Sequence, residues 1–365
     1  MKRVGNIYPQ ITSKENIIRA FANASKGKHD RKIVIKIMNN LEYYIQEIQD
    51  MLTNKTYIPS PYIVLRIHDG TRKKERTIYK PKFYPDQIIH WALMQQIEPI
   101  MMRGMYDLCC ASIRNRGILK ASRYIKRILV NDRKNTKYCL KLDIKKFYPS
   151  LDKDILKQKF QRVIKDKDVL NLVYLIIDSS VESGVPIGNY TSQWFANFYL
   201  QDLDHYIKEQ LKVKYYVRYM DDMLLFHKNK KELHKIRIAL NEFLGKEKLK
   251  IKENWQLFKV GSRPLDFIGY RFYRGYTTLR DSNFLRIKRR IKKVYKKKKM
   301  DYMDACAIIS YIGWLKHCDS YKFKEKYVNP YVNLKKCKGV VRNATKNIQF
   351  RKTRKSFYYR KQKEW

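Results

Sequence analysis

The chain has 365 residues, and its 80 Lys and Arg outnumber 34 Asp and Glu, which gives a formal net charge of +46 and a pI near 10.0. Hydrophobic residues make up 44% of the chain and aromatic residues 13%, enough to bury cores in two or three subdomains, which excludes a disordered basic tail. So large a positive charge attracts polyanions, and nucleic acid is the commonest of these in a cell. Charge alone leaves a ribosomal-type structural protein and a membrane-surface binder as alternatives.

The sequence has no run of about 18 or more apolar residues and no N-terminal signal with an apolar centre. We therefore expect a cytoplasmic protein without a membrane partner. Its cysteines are irregularly spaced and form no C-x-x-C pair, which predicts reduced, mostly buried thiols rather than a zinc site. They are Cys109, Cys110, Cys139, Cys306, Cys318 and Cys337.

Apolar residues at three- and four-residue spacing predict two helices in the first sixty residues, ENIIRAFANASKGK and VIKIMNNLEYYIQEIQDML. The segment from Thr53 to Pro61 breaks this pattern. Next, YIVLRIHDGTRKKERTIYKP has two β-branched runs around Asp69-Gly70, which predicts a hairpin with a basic tip.

Helices are again predicted for PDQIIHWALMQQIEPIMMRGMY and ILKASRYIKRILVN, and short strands for YCLKLDI and KYYVRYMDDMLLFHK. Strands and helices alternate here without a Gly-rich phosphate loop. This arrangement favours an α+β fold over a doubly wound dinucleotide fold.

The C-terminal part is a separate basic module. From Leu285 to Trp365 there are 26 Lys and Arg against 5 Asp and Glu. LRIKRRIKKVYKKKK predicts a helix with one basic face, and AIISYIGWLKH a packed helix, a unit suited to gripping a duplex backbone. In the tail RKTRKSFYYRKQKEW, cations alternate with Phe357, Tyr358, Tyr359 and Trp365, so it either holds single-stranded RNA or is a frayed terminus.

Three carboxylates follow apolar strand-like runs: Asp143 after YCLKL, and Asp221 and Asp222 inside YVRYMDDMLLF. Adjacent charges in an otherwise buried strand pattern are costly unless something binds them. Converging acids would supply the oxygen ligands that two magnesium ions about 3.5–4 Å apart need for nucleotidyl transfer. The alternative is a polar hairpin turn and an incidental acid.

The consecutive segments LDIKKFYPSLD, GVPIGNYTSQWFANFYLQDLD, YVRYMDDMLLF and LDFIGYRF resemble the palm motifs of reverse transcriptases, including the tetrapeptide YMDD. The resemblance covers about residues 60–275. It implies a right-hand polymerase fold with fingers, an antiparallel-sheet palm with helices, and a helical thumb. The expected divisions are a helical extension (1–60), mainly fingers with the start of the palm (61–142), palm with a fingers part at 143–183 (143–283), thumb (284–340) and a basic aromatic tail (341–365).

Within that family, GVPIGNYTSQ, ENIIRAFANASKGK and SYIGWLKHCDSYKFKEKY are similar to the diversity-generating retroelement branch. Group II intron and retron enzymes carry a PQG-type motif where this chain has Pro186-Ile187-Gly188. The resemblance implies a bacterial or phage-encoded enzyme that copies a template-repeat RNA into cDNA, with errors at adenines, to diversify a protein gene. It also implies a small basic accessory protein that forms a ring. A phage-defence reverse transcriptase and a non-catalytic RNA-binding scaffold are the alternatives, and the intact acids argue against the scaffold.

The resemblance assigns roles to individual residues. Asp143, Asp221 and Asp222 are the implied catalytic residues, and with Ile144 they are the implied ligands of two Mg²⁺ ions, for which Mn²⁺ is a possible substitute. Residues implied to bind the deoxynucleoside triphosphate are Lys74, Arg76, Lys146, Phe147, Tyr148, Ile187 and Gly188.

Among these, Tyr148 is expected to exclude a 2′-hydroxyl, and Ile187 to check the nascent base pair less strictly than a glutamine. Each of the two is alternatively a packing residue.

Gln193 and Gly269 are implied to contact template or primer. Ser192 and Gln193 begin a predicted helix, so Gln193 is alternatively a polar residue at a helix start, and Asn197 shares this ambiguity. Phe267, Gly269 and Tyr270 predict a tight turn that positions the primer end. Either Lys250 or Lys252 is expected to be the general-acid lysine of the family.

Overall fold

The structure, a computed structural model, describes residues 2–69, 74–180 and 183–353. The chain divides into two compact units. The large unit comprises residues 1–121 and 133–259, and the small unit comprises residues 122–132 and 260–365. Within the described ranges, no helix is both long enough and apolar enough to cross a membrane.

The large unit begins with four helices, α1 (Tyr8–Thr12), α2 (Lys14–Ser25), α3 (Lys32–Asn39) and α4 (Leu41–Thr53). The Ser13 hydroxyl accepts a hydrogen bond from the Asn16 N–H and caps α2. The predicted single helix from Val34 to Leu52 is wrong, because the backbone leaves the helical region at Asn40 (φ −139°, ψ 52°). Consecutive asparagines compete for backbone hydrogen bonds, which favours a helix end over a helix interior.

The predicted hairpin is confirmed. Strands β1 (Ile63–Asp69) and β2 (Lys74–Lys80) pair antiparallel, with Ile63 opposite Lys80. Gly70 and the rest of the basic tip lie outside the described residues.

The remaining helices of the large unit include two π-helical turns, Phe83–Gln87 and Tyr206–Gln210. Its α-helices after β2 are α5 (Ile88–Met102), α6 (Gly117–Asn131, which continues into the small unit), α7 (Phe147–Ser150), α8 (Lys153–Val163), α9 (Lys167–Asp178), α10 (Tyr190–Tyr199), α11 (Gln201–His205) and α12 (Lys230–Lys246). The helices predicted at Pro85–Tyr106 and Ile118–Asn131 are thereby confirmed over most of their lengths.

A four-stranded antiparallel sheet forms the centre of the large unit. Its strands are β3 (Tyr138–Leu142), β4 (Tyr215–Tyr219), β5 (Asp222–His227) and β6 (Gln256–Lys259), in the spatial order β4-β5-β3-β6. Alternate residues such as Leu140, Leu142 and Leu225 share one hydrophobic core with Leu240 and Leu244 of α12. The fold is a mixed helix and sheet fold, and its antiparallel sheet confirms the exclusion of a doubly wound parallel one.

The small unit has a three-stranded sheet of β7 (Leu265–Phe267), β8 (Tyr270–Phe272) and β9 (Thr277–Leu279), followed by α13 (Asp281–Tyr295), α14 (Tyr302–Leu315), α15 (Tyr321–Tyr327) and α16 (Leu334–Thr353). Helix α13 buries Ile287, Ile291 and Val294 and exposes Lys292 and Lys293. The predicted basic helix face is therefore confirmed. The tail residues Phe357, Tyr358, Tyr359 and Trp365 lie outside the described residues.

All six cysteines are free thiols, and Cys109, Cys110, Cys139 and Cys337 are buried. This confirms the prediction of mostly buried cysteines.

One carboxylate connects the N-terminal segment to α9. Asp166 Oδ2 accepts from the N–H groups of Ile7 (2.9 Å) and Tyr8 (3.1 Å), and Oδ1 accepts from those of Asp168 (3.2 Å) and Val169 (3.4 Å). Burial by itself raises the pKa of Asp166, but these four hydrogen bonds to the ionised form outweigh it and lower the pKa.

We expect Asp166→Ala to lower the free energy of unfolding by about 2 kcal/mol, since it removes a helix cap and two bonds to another segment. Because the folded pKa is depressed, the carboxylate stabilises the fold above its unfolded pKa of about 4, and this contribution disappears as the pH falls through the folded pKa. Urea unfolding at neutral and acidic pH measures both effects. Glu242→Ala, at an exposed position of α12, is the control, and equal losses in the two variants would contradict the role of Asp166.

Candidate active site

Asp143 follows directly after β3, the strand that lies between β5 and β6 in the sheet. A short antiparallel bridge between Ile144 and Ile251 continues this strand. In it, the Lys252 N–H donates to the Asp143 carbonyl (2.8 Å) and the Lys145 N–H to the Lys250 carbonyl (2.8 Å). The bridge therefore brings the chain at Lys252 beside Asp143.

Asp221 lies in the two-residue turn between β4 and β5, which Tyr219 and Asp222 close as a pair. The other turn residue, Met220, has a φ of 55°, in the left-handed region that is uncommon for a residue other than glycine. The acids thus do occupy a hairpin turn, as the structural alternative proposed. The same turn also places Asp221 next to Asp143, so the two interpretations are compatible.

The Asp143 side chain lies close enough to Asp221 to interact with its carboxyl group. Burial and the neighbouring Asp143 carboxylate raise the pKa of Asp221 to about 7, because both disfavour its ionised form. Among the described residues, no hydrogen-bond donor reaches the buried Oδ1 of Asp143. Two acids with a buried acceptor oxygen form a site that a cation would stabilise.

Lys252 supplies part of the positive charge that this pair requires. Its Nζ is hydrogen-bonded to Oδ2 of Asp143. The side chain of Lys250 is exposed, and its carbonyl is used in the backbone bridge. Of the two candidate lysines, Lys252 is the one that reaches the acids.

The other implied metal ligands are placed differently. The Asp222 carboxylate lies 3.9 Å from Nζ of Lys141 on the neighbouring strand. The side chain of Ile144 is fully buried, so its backbone is the part that can serve as a ligand. The hydrogen bonds beside the bridge to Ile251 are made by the neighbouring residues Asp143 and Lys145.

The donor set fits a hard divalent cation. Mg²⁺ prefers oxygen ligands and usually binds through one or two carboxylates, with waters and substrate phosphates completing its coordination. Within the described ranges there is no group of three or more His, Cys, Asp and Glu side chains that could hold a metal ion. The neighbouring donors are the Asp143 and Asp221 carboxylates, and the buried Asp143 Oδ1 has no hydrogen-bond partner in the part of the chain that the structure describes.

Tyr148 lies beside the turn that carries Asp221. Its hydroxyl donates to Sδ of Met220 (3.7 Å), and burial, followed by the charge of Asp221, raises the pKa of Tyr148 to about 12. Lys146, with φ 46° and ψ 43°, precedes the short helix α7, and Phe147 is buried. The predicted sugar-contacting tyrosine therefore adjoins the acids.

The segment from Gly184 to Gly188 packs on two other segments. The Val185 N–H donates to the Tyr148 carbonyl (3.1 Å), and the Ile187 carbonyl accepts from the N–H of Tyr79 on β2 (2.8 Å). A Cβ on Gly184 would lie 2.2 Å from the Tyr148 carbonyl oxygen. The close approach therefore requires glycine at position 184. Through these backbone contacts the segment connects Tyr148 to the β1–β2 hairpin.

Gly188 has a φ of 110°, and a Cβ there would lie 2.3 Å from Cγ2 of Ile78. Both its conformation and its packing against β2 exclude other residues. Of the predicted triphosphate-binding residues, the structure thus groups Tyr148, Ile187 and Gly188 around one short stretch of chain.

The remaining predicted residues are less closely connected to the acids. Arg76 is exposed on β2, opposite Ile67, and Lys74 begins that strand. Gln193 is exposed on α10. Gly269, with a φ of 87°, forms the predicted tight turn between β7 and β8 in the small unit.

Two neighbouring candidates have structural roles. Ser192 is buried, and Asn197 is fully buried on α10, where its Nδ2 donates to the Ala111 carbonyl (2.9 Å). Neither side chain is placed to touch nucleic acid. Gly184 was absent from the predicted site, and the signal for it was the first glycine of GVPIG.

Residues 71–272, more than half of the chain, match the reverse transcriptase (RNA-dependent DNA polymerase) family. The chain belongs to this family. Asp143, Tyr148, Ile187 and Asp221 of the site all fall within the matched residues of this reverse transcriptase.

Two curated relatives of this reverse transcriptase are bacterial. This chain is 28% identical over 163 residues to the retron Ec73 reverse transcriptase of Escherichia coli. The aligned region is 41% of this chain and 48% of the relative. This chain is 26% identical over 226 residues to the group II intron-encoded protein LtrA of Lactococcus lactis subsp. cremoris. The aligned region is 59% of this chain and 37% of the relative. The chain thus spans less than half the length of either relative.

Similar solved structures include telomerases of Candida tropicalis. The apo form truncated from its C-terminal domain aligns with a TM-score of 0.45 and 15% identity, over 63% of this reverse transcriptase and 59% of the telomerase chain. The complex with a fragment of telomeric RNA aligns with a TM-score of 0.42 and 12% identity, over 80% of this chain and 58% of that one.

We expect Asp221→Asn to raise the melting temperature of the metal-free protein by about 2 °C, since it removes one of two adjacent half-buried carboxyl groups. The same change should abolish the increase in melting temperature that Mn²⁺ gives the unsubstituted protein by binding its folded state. Thermal unfolding in EDTA and in Mn²⁺ measures both.

Glu253→Gln is the matched control, because the Glu253 side chain is 95% exposed and the change also removes one negative charge. An Asp221→Asn protein that Mn²⁺ still stabilises as strongly as the unsubstituted protein would contradict a cation site at this pair.

Proposed function

We propose that this reverse transcriptase is an RNA-directed DNA polymerase whose active site is centred on Asp143 and Asp221. The observation that carries the proposal is the contact between these two carboxyl groups, one at the end of β3 and one in the β4–β5 turn. Such a pair is costly in a protein that merely binds RNA, since two adjacent acids repel both each other and a phosphate backbone. The membership of the family supports the same reading.

In this proposal Asp143 and Asp221, with Asp222 and the Ile144 backbone, would hold two Mg²⁺ ions, or Mn²⁺ in their place. When bound, the ions would activate the primer 3′-hydroxyl and neutralise charge on the triphosphate. Lys252 would keep Asp143 oriented through its hydrogen bond to Oδ2, and its ammonium group would carry the proton that the leaving pyrophosphate requires.

The substrate side of the site would be formed largely by backbone. Tyr148, packed against Met220, would lie under the sugar and leave no room for a 2′-hydroxyl. Ile187 would face the nascent base pair, where its aliphatic side chain cannot form a hydrogen bond. Arg76 and Lys74 on β2 would clamp the triphosphate, and a guanidinium suits bidentate phosphate binding.

We assign the hairpin and the segment around Gly188 to the fingers, the four-stranded sheet with α10 and α12 to the palm, and α13 to α16 to the thumb. The exposed cations of α13 support a nucleic-acid-binding thumb, because Lys and Arg on one helix face match the charge of a phosphate backbone. Gln193 and the turn at Gly269 would contact template or primer.

We further infer that the enzyme belongs to the diversity-generating branch and makes adenine-directed errors while copying a template-repeat RNA. Pro186-Ile187-Gly188 in place of a PQG-type motif supports this assignment. A small basic accessory protein would be its partner, with RNA bridging the two cationic surfaces. A phage-defence enzyme is the second candidate, because related defence enzymes share parts of these sequence patterns.

The test of the polymerase is primer extension by the purified chain on a primed RNA template with the four deoxynucleoside triphosphates. We expect a cDNA product, and Asp221→Asn should lower its rate by at least about 1,000-fold, because the conservative amide keeps the shape and removes a ligand charge. Glu253→Gln should retain the activity. Equal rates for the unsubstituted and Asp221→Asn proteins would contradict the assignment.

Sequencing the same cDNA tests the diversification role. We expect errors concentrated opposite template adenines, and fewer of them with Ile187→Gln, since an amide can form a hydrogen bond to the nascent pair. Faithful copying by the unsubstituted protein would leave the polymerase and remove diversification. An unchanged error spectrum in Ile187→Gln would remove the role of Ile187.

For Tyr148→Ala we expect ribonucleotide incorporation to rise by about 100-fold relative to deoxyribonucleotide incorporation, because the ring that excludes the 2′-hydroxyl is lost. Single-nucleotide incorporation with paired ribo and deoxy substrates measures the ratio. Tyr174→Ala on α9 is a control for the loss of a large aromatic residue outside the site. A sugar preference equal to that of the unsubstituted enzyme would count against this role.

A further inference from the structure

Arg218 is a fully buried cation in β4, two residues before the Met220-Asp221 turn. Its guanidinium binds the fully buried carboxylate of Asp204 on α11 through two bonds, Nε to Oδ1 (2.8 Å) and Nη2 to Oδ2 (2.5 Å). The hydroxyl of Tyr216 donates to the same carboxylate (2.8 Å). The charge of Arg218 is thus fully paired inside the large unit.

The third nitrogen of Arg218 reaches the turn itself. Its Nη1 donates to the carbonyl oxygen of Met220 (3.2 Å) and to Oδ1 of Asn197 (3.1 Å). Asn197 is in turn fixed by its bond to the Ala111 carbonyl and by the Cys109 thiol (3.3 Å). The Met220 carbonyl belongs to the peptide group that leads directly into Asp221.

The backbone of Arg218 is also held. Its N–H donates to the Leu108 carbonyl (3.1 Å), and its carbonyl accepts from the N–H of Cys110 (2.9 Å). The guanidinium therefore extends from a fixed strand to a fixed carboxylate and has little freedom to move. A rigid donor of this kind can define the position of the carbonyl that it binds.

The turn needs such a restraint. Met220 has a left-handed conformation, which costs energy for a residue with a side chain, and the carboxyl group of Asp221 lies against that of Asp143. Both effects favour movement of the turn away from β3. The hydrogen bond from Arg218 opposes that movement from the buried side, where water cannot replace it.

We infer that Arg218 is a positioning residue, which holds the Met220-Asp221 turn so that the Asp221 carboxylate meets Asp143. The inference rests on the proposed function for its catalytic consequence, but the placement of the turn is a property of this chain alone. Asp204 and Asn197 orient the guanidinium, and a positive charge at position 218 without the forked geometry would not suffice.

Two variants separate positioning from stability. Arg218→Lys keeps a charge opposite Asp204 but has a single nitrogen, which cannot bind Asp204, Asn197 and the Met220 carbonyl together. The double variant Arg218→Met with Asp204→Leu replaces the whole ion pair by apolar groups, so neither buried charge is left unpaired.

The matched control is Lys159→Met. Lys159 is another buried cation of the large unit, and its ion-pair partners, Asp202 at 2.6 Å and Glu247 at 2.9 Å, lie outside the turn. It should lose thermal stability while its kcat stays within about twofold of the unsubstituted enzyme.

Three measurements are made on the full chain: the melting temperature, hydrogen exchange of a peptide that contains residues 219–223, and Mn²⁺ affinity. Primer extension then gives kcat and KM. For both Arg218 variants we expect faster exchange confined to the turn peptide and a Mn²⁺ affinity reduced about tenfold. We expect kcat to fall about 100-fold with KM for the nucleotide within about twofold, since misplacement of a reacting group affects the transition state more than substrate binding.

A double variant that regains thermal stability and also regains kcat would overturn the inference, because a structural ion pair would then be its whole role. Unchanged exchange and Mn²⁺ affinity in Arg218→Lys would overturn it as well. If the unsubstituted chain makes no cDNA, the proposed function fails. Exchange and Mn²⁺ binding still decide whether Arg218 fixes the turn, so the two failures are distinguishable.

Discussion

Two carboxyl groups that repel each other are held together at the centre of the large unit, and much of the surrounding structure serves that contact. Asp143 is fixed by the strand that carries it and by the bridge from Ile144 to Ile251. Asp221 is fixed by a tight turn whose preceding carbonyl is bound by Arg218. Since the pKa of Asp221 is raised to about 7, folding has placed this group where its charge is unfavourable. In the proposed function, a bound cation would offset this local cost.

On the proposed substrate side of the site, backbone hydrogen bonds join separate segments of the chain. The Tyr79 N–H donates to the Ile187 carbonyl, and the Val185 N–H donates to the Tyr148 carbonyl. Backbone contacts fix the path of the chain while leaving side chains free to vary. An aliphatic residue at position 187 can therefore replace a polar one without a change in the local fold. In the proposed function, selectivity for base and sugar could thus change separately from the acids proposed to bind the metal.

The two units carry different arrangements of charge. The chain carries a net charge of +46, and exposed cations cover one face of α13 in the small unit. Such a surface binds phosphate without regard to sequence. The half-buried carboxylates of Asp143 and Asp222 in the large unit would oppose that binding, and each lies beside a cation, Lys252 and Lys141 respectively.

The sequence by itself determined most of the secondary-structure elements and predicted which acids are the candidate reacting groups. Periodicity located the β1–β2 hairpin, α5, α6 and the central strands, and YMDD after an apolar run marked Asp221, because local pattern and turn chemistry are properties of short segments. Periodicity wrongly predicted one helix over α3 and α4, because the backbone preference of Asn40 outweighed the apolar repeat. The sequence could not distinguish Lys250 from Lys252, since both lie on one short segment. Which of them reaches Asp143 depends on the register of the Ile144–Ile251 bridge, which pairs residues more than a hundred positions apart. Only the tertiary structure decided that Arg218 and Asp204 meet beneath the turn and that Gly184 packs on Tyr148, because those contacts depend on how distant segments pack, and no local pattern encodes a distance between them.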